Sequence, residues 1–252
     1  MVDSFPWQAA SKLRAWREEV LAQGLRKLKI LVIGAHPDDI ELGCGGTILE
    51  LRKRNHEVHA LIVTDGCGGE ERSPITREKE ANDAAKVLGL RTVEFGRIRD
   101  GQTQLGDTLF NLVMTQIVRH KPDLVICHAN VASEHSDHKN VSETVKTICG
   151  RRTTKLKALM FEVPSYCADR SFTPRLYVNI DSSIETKQEA VNQHISEIAR
   201  GTISLDQVEK RACFRASEIG SRVSHAEAFA LEPADTDISE IVKLMPFVAR
   251  AQ

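Results

Sequence analysis

The stretch from Ile30 to Gly46, Ile-Leu-Val-Ile-Gly-Ala-His-Pro-Asp-Asp-Ile-Glu-Leu-Gly-Cys-Gly-Gly, constrains this chain more than any other. Its opening run is apolar and largely β-branched, as suits a strand buried on both faces, and Gly34-Ala35 then allows a sharp turn. One imidazole and two carboxylates follow at once. In an open parallel α/β sheet ligands bind at the carboxyl ends of the strands, so His36, Asp38 and Asp39 fall where chemistry is expected.

Taken in order, the chain alternates strands with helices. Leu13, Trp16, Val20 and Leu21 predict an amphipathic helix over 8–25, a structural appendage ahead of the first strand. After the motif, Gly46 to Arg54 reads as a helix and Val58 to Thr64 as a second strand. Asp65 to Thr76 is a loop with Gly66, Gly68, Gly69 and Pro74, long enough to cover a site. Thr76 then opens a helix that Gly89 stops, and Thr92 to Phe95 is a short third strand.

A helix over Asp107 to His120 ends before Lys121-Pro122, and Leu124 to His128 is a fourth strand whose carboxyl end belongs beside that of the first. The loop that follows carries His135, Asp137 and His138, a second set of metal-competent residues, before a helix over Val141 to Ile148. Strands at Leu156 to Val163 and Leu176 to Ile180, and helices at Ile184 to Ala199 and Leu205 to Glu218, read as an added layer. A short extended piece from His225 to Leu231 and a helix from Ile238 to Val248 close the chain.

At 252 residues, 41% hydrophobic and 27% charged with a net charge of −1, the sequence reads as one α/β domain with no electrostatic case for nucleic acid. The absence of a long apolar run or a leader predicts a cytoplasmic protein with no membrane insertion. Six cysteines without a CxxC pair argue against a zinc ribbon or a disulfide framework, and Cys44 reads as a packing residue.

A hydrolytic zinc needs three protein ligands and an open position. His36 and Asp39 can converge on one ion, and either His135 or His138 can supply the third donor. Asp38 is then surplus, suited to act as general base, while the spare histidine, oriented by Asp137, can stabilise an oxyanion or protonate a leaving amine. Taken singly, His36 reads as well as a hydrogen-bonded loop histidine, and Asp38-Asp39 as a helix cap. A dinucleotide site fits worse, because Gly43, Gly45 and then Ile48 break the G-x-G-x-x-G pattern.

Ala35-His36-Pro37-Asp38-Asp39-Ile40-Glu41-Leu42-Gly43, followed by His135-Ser136-Asp137-His138, resembles the signature pair of the PIG-L/LmbE-like family of zinc-dependent N-deacetylases. Thr64-Asp65-Gly66, Arg77-Glu78-Lys79-Glu80-Ala81, Leu88-Gly89, Asp100, Lys121-Pro122-Asp123 and Ala226-Glu227-Ala228-Phe229 fall in that family's order. The resemblance implies a Rossmann-like three-layer sandwich with a mostly parallel central sheet. It also implies zinc held by His36, Asp39 and His138, with Asp38 as base and His135 stabilising the tetrahedral intermediate under the orientation of Asp137. Arg77 would bind substrate and Asp100 would belong to the pocket.

Two departures stand out: Ser136 where the family usually has proline, and His225 where many members have tyrosine. The implied reaction removes the acetyl group from an N-acetylglucosamine-type sugar or conjugate, in a homo-oligomer. Fe²⁺ or Co²⁺ suits the same ligands. A larger N-acyl group on a glycosyl thiol conjugate, or a metal kept only for structure in a sugar-binding protein, are the competing expectations.

Overall fold

The computed structural model describes residues 27–68, 73–129, 135–151, 153, 155–163, 172–220, 222–245 and 248–250. The helix expected over 8–25 lies outside them. Strand β1 (Lys29–Gly34) leads into α1 (Asp39–Lys53), β2 (Glu57–Thr64), α2 (Pro74–Leu88), β3 (Thr92–Ile98), α3 (Asp107–His120), β4 (Leu124–His128), α4 (Ser136–Cys149) and β5 (Ala158–Phe161). The chain continues through β6 (Leu176–Asn179), α5 (Ile184–Val191), α6 (Ile195–Ala199), α7 (Leu205–Ser217), β7 (Ala226–Glu232), α8 (Ile238–Leu244) and β8 (Val248–Arg250).

These strands form one sheet in the order β3-β2-β1-β4-β5-β7-β6-β8. From β3 to β5 every neighbour is parallel, and β7, β6 and β8 extend the sheet antiparallel. The C-terminal third therefore joins the same sheet, and the α/β architecture with a mostly parallel centre is as expected.

The period of two in β1 explains why its run is apolar throughout. Ile30 and Val32 enter a core with Ile48 and Leu51 of α1, Leu88 of α2 and Val191 of α5. Leu31 and Ile33 enter a second core on the other face, with Val113 of α3 and Val141 and Val145 of α4. Helices thus cover both faces. The sheet order turns back between β1 and β4, where Ile33 lies opposite Cys127, and the crevice above those two carboxyl ends is where the site forms.

Several boundaries differ from the sequence reading, each for a local reason. Helix α2 starts at Pro74, capped by the Ser73 hydroxyl, so the helix opens before Thr76. The single helix expected over Ile184 to Ala199 is two, α5 and α6, and Val248–Arg250 pairs with β6 as a strand. Helix α4 begins at Ser136 with His135 as its cap, which puts Asp137 and His138 on a rigid first turn rather than in a loop.

Helix α1 shows the largest difference. It starts at Asp39 instead of Gly46 and runs through Gly43, Gly45 and Gly46 with a break at Cys44 (φ −146°, ψ 17°). Close packing explains two of these glycines: a Cβ on Gly43 would sit 2.1 Å from Phe161, and one on Gly46 would sit 2.7 Å from Ile180. Cys44 itself is fully buried in the core.

The break leaves backbone groups without helical partners, and one buried ion pair takes them up. Lys187 Nζ donates to the Leu42 carbonyl at 2.9 Å, while the Gly46 and Thr47 amides donate to the Glu227 carboxylate at 2.9 and 2.7 Å. Lys187 and Glu227 meet at 2.6 Å, both almost completely buried. Among the described residues no helix is long and apolar enough to cross a membrane.

Gly43→Ala should lower the unfolding free energy by about 1–3 kcal/mol, because the added methyl must displace the Phe161 ring. Gly45→Ala is the control: its Cβ meets Lys187 at 3.4 Å, ordinary contact, so stability should hold or rise. Urea titrations of the two variants against the parent measure this difference, and equal midpoints would refute the packing account.

Candidate active site

The turn after β1 is built around His36. Asp39, the first residue of α1, accepts the His36 backbone N–H on Oδ2 at 2.6 Å, which locks the turn. His36 Nδ1 lies 2.9 Å from His138 Nε2 and 3.5 Å from Asp39 Oδ2, and His138 Nε2 lies 3.2 Å from Asp39 Oδ1. Three donors from two separate segments thus face one point.

This set fits a divalent ion. Donors about 2.0–2.1 Å from a four-coordinate zinc lie roughly 3.3 Å apart, and the spacings here bracket that value. Two imidazoles and a carboxylate suit Zn²⁺, and also Fe²⁺ or Co²⁺.

The other nitrogen of His36 faces away from that point. His36 Nε2 lies 3.2 Å from Asp100 Oδ1 and 3.3 Å from Asp137 Oδ2, an arrangement that fixes the ring's rotation and tautomer. Asp137 is fully buried and accepts from the Gly101 amide at 2.7 Å and from the Thr103 amide and hydroxyl. Burial alone would raise its pKa, but His36, Thr103 and Gly101 together hold it well below the usual carboxylate range. Asp100 accepts from the Gly68 amide at 2.9 Å and is likewise held low against its burial, chiefly by His36.

His135 stands at the cavity edge with its side chain about a third exposed. Its ring meets that of His36 edge-on at 4.8 Å, with Asp100 and Asp137 each 3.6 Å from a ring nitrogen. Burial, then the proximity of His36, lowers its pKa, so near neutral pH it carries one ring proton to donate.

Asp38 adopts φ 144°, a region that favours glycine. Its Oδ2 accepts from Arg77 Nη2 at 2.8 Å, and the same nitrogen donates to the Pro37 carbonyl at 2.5 Å. Burial, joined by the neighbouring Asp39 carboxylate, raises the Asp38 pKa against the pull of Arg77. Arg77 is only 2% exposed, with Glu197 and Glu80 at 3.7 and 3.8 Å from Nη1. Its Nη2 thus serves Asp38 and the turn, while Nε and Nη1 have no hydrogen-bond partner among the described residues.

Two histidines stand here that sequence reasoning read only as parts of regular elements. His128, the last residue of β4, is buried; its Nε2 accepts the Ala35 N–H at 2.8 Å and lies 3.3 Å from Asp39 Oδ2. Its ring stacks on His138 at 4.4 Å, and burial pushes its pKa down to about 3. An imidazole at the carboxyl end of the strand expected beside β1 is the signal that could have found it. His194, between α5 and α6, lies 3.4 Å from Glu41 of α1, both buried, and no local pattern marks that pairing.

His36, Asp38, Asp39, Asp100 and His135 line a cavity of about 290 Å³ with Arg77 in its wall. Buried carboxylates, one imidazole with both nitrogens engaged, and an edge imidazole facing a cavity are groups that could hold a divalent ion beside others able to move a proton.

A family model described as PIG-L, GlcNAc-PI de-N-acetylase, matches residues 31–149. The chain is 30% identical over 183 residues to an uncharacterized deacetylase, YaiS, of Escherichia coli (strain K12), spanning 70% of this chain and 96% of that protein. It is 24% identical over 193 residues to the diacetylchitobiose deacetylase of Thermococcus kodakarensis, spanning 67% of this chain and 70% of the relative. Among solved structures, the N,N'-diacetylchitobiose deacetylase from Pyrococcus horikoshii shares the fold with a TM-score of 0.68 at 22% identity, over 96% of this chain and 99% of that one. The chain belongs to the PIG-L family.

His128→Phe keeps a ring beside His138 and removes the acceptor of the buried Ala35 N–H at the turn that carries His36. The unfolding free energy should fall by about 1–3 kcal/mol, read by urea titration. An unchanged midpoint would show that His128 is packing alone.

Proposed function

We propose that this chain is a metal-dependent hydrolase that removes the N-acetyl group from an N-acetylated amino sugar or its conjugate, releasing acetate and a free amine. One observation carries the reading: His36, Asp39 and His138 converge on one point while Asp38 and His135, outside that set, line the same cavity. Relatives described as deacetylases support it. A purely structural metal would have no use for the two additional groups.

His36, Asp39 and His138 would hold the ion. When bound, it supplies Lewis acidity, polarising the amide carbonyl and making water easier to deprotonate. Asp38 takes the proton of the attacking water. Arg77 occupies its Oδ2, which leaves Oδ1 for that proton, and burial keeps the carboxyl basic enough to accept it.

As the water oxygen bonds to the carbonyl carbon, His135, whose Nδ1 accepts the Asp137 backbone N–H at 3.4 Å, donates its Nε2 proton in a hydrogen bond to the developing oxyanion. Asp38 then returns its proton to the nitrogen as the C–N bond breaks.

Asp38→Asn should retain the metal and lose about 10²- to 10⁴-fold in acetate release. Full activity in that variant would remove Asp38 from the role of base. Chelation should abolish acetate release from the parent, and adding back Zn²⁺ or Co²⁺ should restore it; activity that persists in metal-free protein would overturn the metal-dependent reading.

A further inference from the structure

We propose that Leu42 and Ile203 form the wall that receives the methyl end of the acyl group and limits that group to the size of an acetyl; this rests on the deacetylase reading above. Among the described residues these are the two apolar side chains lining the cavity, and the rest of the lining is polar or glycine. A hydrocarbon end gains from leaving water only against such a surface.

Helix geometry sets Leu42 beside the base. Its backbone N–H donates to the Asp38 carbonyl at 3.0 Å, so the two residues stand one turn apart. Side chains on a helix lean toward its N-terminus, which carries Leu42 over the turn that bears Asp38 and Asp39. Asp38 takes its proton from the oxygen that bonds to the acyl carbon, and the methyl is one bond beyond that carbon. An apolar surface next to Asp38 therefore meets the acyl chain, while sugar hydroxyls find donors and acceptors in the polar lining.

Both residues are held firmly in place. Leu42 and Ile203 are 4% and 5% exposed and belong to the same core as Ile48, Phe161 and Val208. Lys187 Nζ holds the Leu42 carbonyl at 2.9 Å, just before the break in α1. Thr202, next to Ile203, donates its amide to the Glu197 carbonyl at 3.1 Å, and its hydroxyl reaches the same carbonyl at 2.9 Å and Glu197 Oε2 at 2.7 Å. A wall so pinned resists an added methylene as a packed core does.

The test compares the metal-loaded full chain on N-acetyl-, N-propionyl- and N-butyryl-glucosamine and on the matching doubly acylated chitobioses. In the parent, kcat/KM should fall at least about tenfold from acetyl to propionyl and further to butyryl. Ile203→Ala should raise the propionyl-to-acetyl ratio at least about fivefold, and Ile203→Val, the milder change to the core, by a smaller factor. Val208→Ala, in the same core and not among the residues lining the cavity, should leave the ratio unchanged. The ratio is internal to each sample, so a loss of folded protein does not move it.

Equal turnover of acetyl and propionyl sugars by the parent would overturn the proposal. So would a ratio that neither Ile203 variant moves, the result expected of a wall packed against the sugar ring. Calorimetric binding of the same sugars separates this proposal from the reading it rests on. Tightest binding of the N-acetyl sugars, relaxed by Ile203→Ala, without acyl release from any substrate would uphold the wall and count against hydrolysis. Binding indifferent to acyl length would overturn the wall itself, and no binding of any of these sugars would overturn both.

Discussion

A buried ion pair packed against the first helix decides whether the site can exist. Lys187 and Glu227 close the gap where α1 breaks, taking the stranded carbonyl of Leu42 and the stranded amides of Gly46 and Thr47. Helix α1 has to begin at Asp39 to bring that carboxylate to His138, and it has to pass close over Phe161 and Ile180. No straight helix with side chains at 43 and 46 satisfies both demands. Each buried backbone group left without a partner would cost about 1–3 kcal/mol, so the break is tolerable only with both charges in place. The pair thereby ties β7 and α5 to the helix that starts the site.

Electrostatics imposes a second constraint. Asp39, Asp100 and Asp137, their side chains almost wholly buried, surround one imidazole. Burial lowers the pKa of His36, yet the three carboxylates together raise it well above its ordinary value. The arrangement therefore demands positive charge at its centre. An imidazolium can supply one unit of it, whereas a divalent ion on the Nδ1 side supplies two and leaves Nε2–H free to donate to Asp100 or Asp137. The carboxylates that orient His36 are the same groups that make a cation welcome there.

Much of this was legible in sequence because its signals are local. The apolar run of β1 needs only its own alternating faces, and His36, Asp39 and His138 sit at strand and helix ends where a parallel sheet exposes its chemistry. The glycines of α1 misled, since a breaker in sequence is a close approach in space, and the atoms being approached belong to residues 161 and 180. His194 was unread for a related reason: its partner Glu41 lies on another element, and an imidazole in a helical stretch carries no mark of what it will face, whereas the place of His128 at the carboxyl end of β4 marked the residue without marking its partners Ala35 and Asp39. Arg77 stands in the cavity wall, and its pairing with Asp38 is one that only geometry could assign.

The separation of Asp38 from Asp39 depends on backbone strain. Adjacent carboxylates on a regular helix start would crowd toward the same solvent or the same ion. At φ 144° Asp38 adopts a conformation that costs a non-glycine residue about 1–3 kcal/mol, and it holds because its surroundings over-determine it. Arg77 contributes to that from two directions, gripping the Pro37 carbonyl before the strained residue and the carboxylate on it. Asp39 is gripped elsewhere, by the His36 amide and by His138. The two neighbours are thereby pulled to different partners, one against a guanidinium and one among imidazoles. Glycine would relieve the strain at Asp38 but carries no carboxylate, so strain at this position is the cost of placing a second carboxylate, with a partner of its own, next to Asp39.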